Sequence, residues 1–101
     1  MALPVFASPT NTADTLVYTV PDGKKALLNS LNVSALLAAS VKIAITPGVA
    51  PTAAHWLETG RVLAQFATLE RTNLLLAAGN RVYITSSVAN ALSVQIFGIE
   101  E

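Results

Sequence analysis

Apolar and polar residues alternate with a period of two through much of this chain. Val41, Ile43 and Ile45 are separated by Lys42, Ala44 and Thr46, and Leu92, Val94 and Ile96 by Ser93 and Gln95. Leu16, Tyr18 and Val20 alternate with Val17 and Thr19, and Val82 and Ile84 face away from Tyr83 and Thr85. Successive strand residues point to opposite faces, so each run puts an apolar row on one side of a sheet. The Val, Ile, Thr and Tyr content of these runs suits a pleated, half-buried surface. Turn formers punctuate them at Pro21-Asp22-Gly23, Pro47-Gly48, Gly60 and Gly79-Asn80. YTVPDGKKALL and LAAGNRVYIT each read as strand, tight turn, strand, with Pro presetting φ in the first and Gly supplying positive φ in both. Short strands broken this often predict a sandwich or barrel.

Two stretches compete with that reading. KKALLNSLNVSALLAASVK has helix-friendly Leu and Ala, and as a helix it would gather Leu27, Leu28, Leu31, Ala35 and Leu36 near one face. Asn29, Ser30, Asn32 and Ser34 sit badly in a helix centre, and as a strand Leu27, Leu31 and Val33 share one side. Residues 25–34 are therefore expected to be a strand and residues 35–39 a turn. Residues 62–76 also have helical composition and are the main rival to an all-β chain. GVAPTAAHWLETG reads as loop, with one helical turn over residues 52–55 that Thr52 would cap.

At 101 residues the chain fits one domain. It is 52% hydrophobic and only 12% charged, with six basic and six acidic residues. An ordinary soluble domain has roughly 25% charged residues. A small globule has much surface and here few charges to cover it, so part of that surface is expected to face other subunits. The competing reading is that Ser, Thr, Asn and Gln supply the missing polarity. With no cysteine there is neither disulfide nor thiolate chemistry. The first fifteen residues lack a basic n-region and are not expected to act as a signal peptide. The uncharged run from residue 82 to 99 contains Thr85, Ser86, Ser87, Asn90, Ser93 and Gln95, which favours buried strands over a membrane span.

Candidate chemistry is sparse. A phosphate loop needs several glycines between a strand and a helix N-terminus, and Pro21-Asp22-Gly23 has neither context. His55 is the sole histidine, and nothing near it in sequence supplies a nucleophile and an orienting carboxylate. One histidine and no cysteine argue against zinc, and Asp14 and Asp22 lack calcium-loop spacing. Glu58 and Glu70 could pair as glycosidase carboxylates, but Glu70 beside Arg71 reads more simply as a surface pair. No basic face with aromatics marks a nucleic-acid interface. Trp56 stands out as the sole tryptophan, in a loop between His55 and Leu57. It is either an interface anchor or a plug at one end of the core. In LPVFASP, Leu3, Val5 and Phe6 lie in a stretch that Pro4 and Pro9 keep extended. Residues 1–12 are expected to form an arm that pairs with its own sheet edge or, the favoured reading, adds to a neighbour, and residues 13–101 to form one sandwich domain.

Three longer stretches bear on identity: TLVYTVPDGKKALLNSLNVS, SVKIAITPGVAPTAAHWLE and LLLAAGNRVYITSSVANALSVQIFGIEE. Together they resemble small virion structural proteins of tailed bacteriophages. The likeness lies in Tyr18–Lys24, Val41–Leu57, Leu76–Val82 and Gly98–Glu100, with Asn80 where Asp is common. The resemblance implies an all-β antiparallel β-sandwich, jelly-roll-like, built into a virion assembled in the host cytoplasm. It implies no catalytic residue and no cofactor. The expected role is a head decoration or cement protein that bridges capsid subunits as a homo-oligomer, a trimer being one candidate state. Its partners would be the major capsid protein or tail proteins, with no nucleic acid and no membrane. A tail or baseplate component is the alternative, and a carbohydrate-binding module with Trp56 and Tyr83 as stacking platforms is a third. Leu3, Val5, Phe6, His55, Trp56 and Leu57 are the expected interface residues.

Overall fold

The computed structural model describes residues 3–101. Met1 and Ala2, the start of the expected arm, lie outside the described residues. Eight strands follow in order: β1 (Val5–Ala7), β2 (Thr15–Thr19), β3 (Ala26–Ala35), β4 (Ala39–Thr46), β5 (Trp56–Leu63), β6 (Thr68–Leu76), β7 (Arg81–Ser86) and β8 (Leu92–Glu100). They form two four-stranded sheets, β1-β8-β3-β6 and β2-β7-β4-β5. Every pairing is antiparallel. β1 pairs with β8, β2 with β7, β3 with β6 and β4 with β5, as if one long antiparallel ribbon turned back at the β4–β5 connection. Rolling that ribbon puts alternate pairs in opposite sheets, which is jelly-roll order. The expected all-β sandwich is what the chain forms.

The alternating rows explain the packing. Val41 and Ile43 of β4, Val82 and Ile84 of β7, Leu31 and Val33 of β3, and Val94 and Ile96 of β8 are all fully buried between the sheets. Each such side chain contributes about 1.5–3 kcal/mol by leaving water. Two of the register breaks are instructive. A bulge between Leu16 and Tyr18 lets Val17 and Tyr18 both turn inward and leaves Leu16 exposed, so the expected Leu16/Tyr18 row does not form. A second shift, between Leu28 and Ser30, inserts Asn29 opposite β8. There Gly98 passes so close to β3 that a Cβ on it would lie 2.1 Å from the Leu27 carbonyl oxygen. Only glycine fits that approach.

Both helix-friendly stretches are strands. β3 occupies residues 26–35, close to the expected 25–34, and its turn is shortened to residues 36–38. Residues 62–76 contain no helix: β5 ends at Leu63, a tight turn crosses to the other sheet, and β6 starts at Thr68. β6 pairs with β3 from Leu76↔Ala26 to Thr68↔Ser34, and it buries Leu69 and Leu76. This long-range pairing overrides local propensity.

Within this chain the N-terminal segment takes the first of its two expected placements, its own sheet edge. Val5, Phe6 and Ala7 pair with Ile96, Gln95 and Val94 of the same chain. Leu3, Val5 and Ala7 pack against the core. The alternating inward row gives the segment a place on its own sheet, where it forms an edge strand of the sandwich.

The body measures 38 × 24 × 20 Å. One end gathers the β1–β2, β3–β4, β5–β6 and β7–β8 connections, tied by backbone bonds from Asn90 N–H to Pro9 O (3.0 Å), Leu36 N–H to Ala91 O (2.7 Å) and Phe66 N–H to Ala35 O (2.7 Å). The other end holds the β2–β3, β4–β5 and β6–β7 connections and Glu101, with Val20 N–H bonded to Asn80 O (2.9 Å) and Lys25 N–H to Glu101 O (2.9 Å).

Candidate functional site

The six residues expected at an interface do not converge. Leu3, Val5 and Phe6 lie at the β1 edge of one sheet, and His55, Trp56 and Leu57 at the β5 edge of the other, so they flank opposite sides of the sandwich. Leu3, Val5 and Leu57 turn toward the core. Phe6 points out and is 65% exposed. The helical turn expected at residues 52–55 is a β-turn, closed by His55 N–H to Thr52 O at 3.0 Å. Its cap runs opposite to expectation, because the Thr52 N–H donates to His55 Nδ1 at 3.0 Å. This ties His55 to its own loop.

Trp56 sits opposite Ala44, half-buried, with the Lys42 Nζ 5.4 Å from its ring centroid. One face of the indole therefore holds a cation, a contact worth about 0.5–1 kcal/mol at an exposed site. Tyr83 is only 9% exposed, and its hydroxyl accepts from Arg81 at 3.3 Å. Tyr83 is therefore not an open platform for a sugar, and one face of Trp56 is already taken.

Phe6 has company that sequence reasoning missed. Its ring meets Phe97 edge-on, with centroids 5.9 Å apart and planes at 81°. On the same outer face, Leu27 of β3 aligns with Ile99 on one side and Leu75 on the other. Leu75 is 73% exposed, and Phe97 and Ile99 are also exposed. A signal for two of them was present. Continuing the β8 alternation outward from Ser93 and Gln95 reaches Phe97 and Ile99, apolar residues at positions where a solvated face would be polar.

A second apolar group crowns the end built from the β3–β4, β5–β6 and β7–β8 connections. Leu36, Leu37, Val62, Phe66 and Val88 are all exposed there. Phe66, like Val62, is 79% exposed, and it is also held at φ 70° in a turn closed by Ala67 N–H to Ala64 O at 3.0 Å. That position normally takes Gly or Asn, and a left-handed backbone costs an L-residue about 1–2 kcal/mol. No sequence pattern marks it.

At the opposite end an open cleft of about 560 Å³ is lined by Leu75, Leu76, Ala77 and Ala78 together with the charged residues Lys24, Lys25 and Glu101. A smaller polar hollow of about 210 Å³ lies beside Lys42, Thr85 and Ser87.

The polar contacts are structural. Arg71 Nη1 of β6 donates to Glu58 Oε2 of β5 at 2.7 Å and clips the two sheets together at their shared edge. Thr85 donates to Asp14 Oδ1 at 2.6 Å, and Ser30 to Glu70 Oε2 at 2.9 Å. Glu58 and Glu70 thus each have their own partner. The Tyr18 hydroxyl donates across the sandwich to the Glu100 carboxylate. Burial, reinforced by that hydrogen bond and by the negative charge of Glu100, pushes the phenol well above its ordinary pKa of 10.0. Among the described residues no three His, Cys, Asp or Glu side chains gather as metal ligands, and no buried side-chain nitrogen or oxygen lacks a hydrogen-bond partner.

No family model, curated protein or solved structure matches this chain.

Proposed function

We propose that this chain is a non-enzymatic structural protein of a bacteriophage virion, and that it decorates the head, bridging capsid subunits as an oligomer. The observation that carries an assembly role is the exposed apolar surface. Phe6, Phe97, Ile99 and Leu75 on one sheet face, and Phe66 with its neighbours at one end, lie outside a core that is already complete. A monomer with a formal net charge of zero and this much exposed apolar surface is poorly protected against association. Covering these side chains with protein is the physical gain that a decoration protein would supply, and many modest contacts repeated over a shell add up by avidity.

The fold is compatible with this role but does not select it, since jelly rolls also serve lectins and cupins. The virion setting comes from the sequence resemblance, above all Tyr18–Lys24 and Leu76–Val82. A tail or baseplate position is the second reading, and the same exposed surface supports it. The covered Tyr83 and the Lys42-capped Trp56 weaken the carbohydrate-binding reading.

The test is to separate purified particles into heads and tails and to measure the copy number of this chain in each by quantitative mass spectrometry. A decoration protein is expected with the heads, in tens to hundreds of copies. Recovery with tails alone selects the second reading, and absence from both removes the virion role.

A further inference from the structure

We propose that copies of this chain join head to tail, with Phe66 of one copy seated in the Leu75–Ala78 cleft of the next. This deepens the assembly reading and rests on it. The starting observation is a local rule broken without return inside the fold. The third residue of the 64–67 turn has φ 70° and carries Phe, whose ring is 79% exposed. Gly or Asn would fit that backbone better and lose no core contact. A sequence that keeps a strained, unburied aromatic there gains nothing in the isolated molecule, and such positions are where function is expected.

What would cover Phe66 follows from shape, charge and area. The ring is exposed at the end that also carries Leu36 and Leu37, and a concave partner would bury most of it. The cleft at the opposite end offers one, with a volume of about 560 Å³ and a lining of Leu75, Leu76, Ala77 and Ala78. Charge is compatible. The tips at residues 36–38, 64–67 and 87–91 carry no ionisable side chain, so docking strips water from no charge on the knob. Lys24, Lys25 and Glu101 line the rim of the cleft, where their charged ends can stay in water while the lysine methylene stems cover the incoming ring.

Leu36 (50% exposed), Leu37, Val62, Phe66 and Val88 together present about 400 Å² of apolar area, taking about 200 Å² for a Phe and about 100 Å² for each aliphatic side chain. Specific interfaces are about 57% apolar, so with a polar rim this becomes about 700 Å² per partner, near the about 800 Å² of a stable complex. Because knob and cleft lie at opposite ends of one body, the contact is heterologous. It propagates into a ring or a short filament and does not stop at a two-fold dimer.

Sedimentation velocity on the purified full chain, over a concentration series to the millimolar range, tests this with two variants. The wild type is expected to associate with rising concentration. Phe66→Asn is expected to weaken association about thirtyfold, the loss of an aromatic hot spot, while its Tm rises by about 4 °C as the backbone strain is relieved. Ala78→Lys, at an exposed cleft position, is expected to weaken association similarly with Tm unchanged. Mixing the two variants restores one intact knob and one intact cleft, so the mixture forms a 1:1 dimer that grows no further.

A wild type that stays monomeric throughout overturns the proposal, as does Phe66→Asn associating like wild type. A mixture that forms no dimer overturns it too, since it points to a symmetric contact. The outcome is separable from the virion assignment. Particles that contain Phe66→Asn at normal copy number sink the head-to-tail contact alone, whereas a chain absent from every particle sinks the assignment and leaves the contact standing.

Discussion

Tyr18 sits wholly within the core of the sandwich except for its hydroxyl, which reaches from β2 to the Glu100 carboxylate on β8. Its pKa is raised in the folded chain, first by burial and then by Glu100, so the folded state holds the phenolic proton more tightly than the unfolded state. The sign follows directly. The stabilisation is complete below the unfolded value near 10.0 and is lost progressively as pH rises above it. Denaturant midpoints measured from pH 8 upward are therefore expected to fall above about pH 10 in the wild type, and less steeply in Tyr18→Phe. At neutral pH the Tyr18→Phe variant should be less stable by about 1–2 kcal/mol, the worth of a hydrogen bond to a charged acceptor. Identical slopes in the two proteins would refute the coupling. None of this was legible in the sequence. Tyr18 and Glu100 are remote in the chain, and nothing local signals that they meet.

The strands themselves were largely legible, and the exceptions have physical causes. Where alternation was strict, as in Val41–Ile43, Val82–Ile84 and Leu92–Ile96, the expected inward rows are the observed ones. It failed at Leu16–Tyr18, because a bulge adds a residue and changes which face each side chain takes. β6 was illegible because its Leu-rich stretch becomes a strand only through pairing with β3, a partner some forty residues away. The N-terminal segment shows the same dependence on long-range context. Its extended character was evident from Pro4 and Pro9, but its partner was not. With Leu3, Val5 and Ala7 packed on the core, removing residues 1–9 is expected to destabilise the isolated chain by about 2–4 kcal/mol, read as a lower denaturant midpoint. Unchanged stability of the shortened chain would show that β1 contributes only outside the monomer.

At the scale of the whole molecule, composition was a better guide than motif. Scarce charge and abundant apolar residues implied that the surface could not be polar throughout, and Phe6, Phe66, Leu75, Phe97 and Ile99 are where the excess emerges. Composition could not say which positions these would be, since that depends on how the ribbon rolls and which ends its turns reach. Of the six expected interface residues, Phe6 alone stands well out into solvent, while Leu3, Val5 and Leu57 serve the core and His55 and Trp56 are engaged with Thr52 and Lys42. Under the proposed function, the exposed apolar side chains become covered by protein once the chain is assembled. Hydroxyl-radical footprinting of Phe6, Phe66, Leu75 and Phe97, in the isolated chain and in purified particles, measures this most directly. Strong labelling of all four in the free chain and protection in the particle are expected. Equal labelling in both states would contradict it.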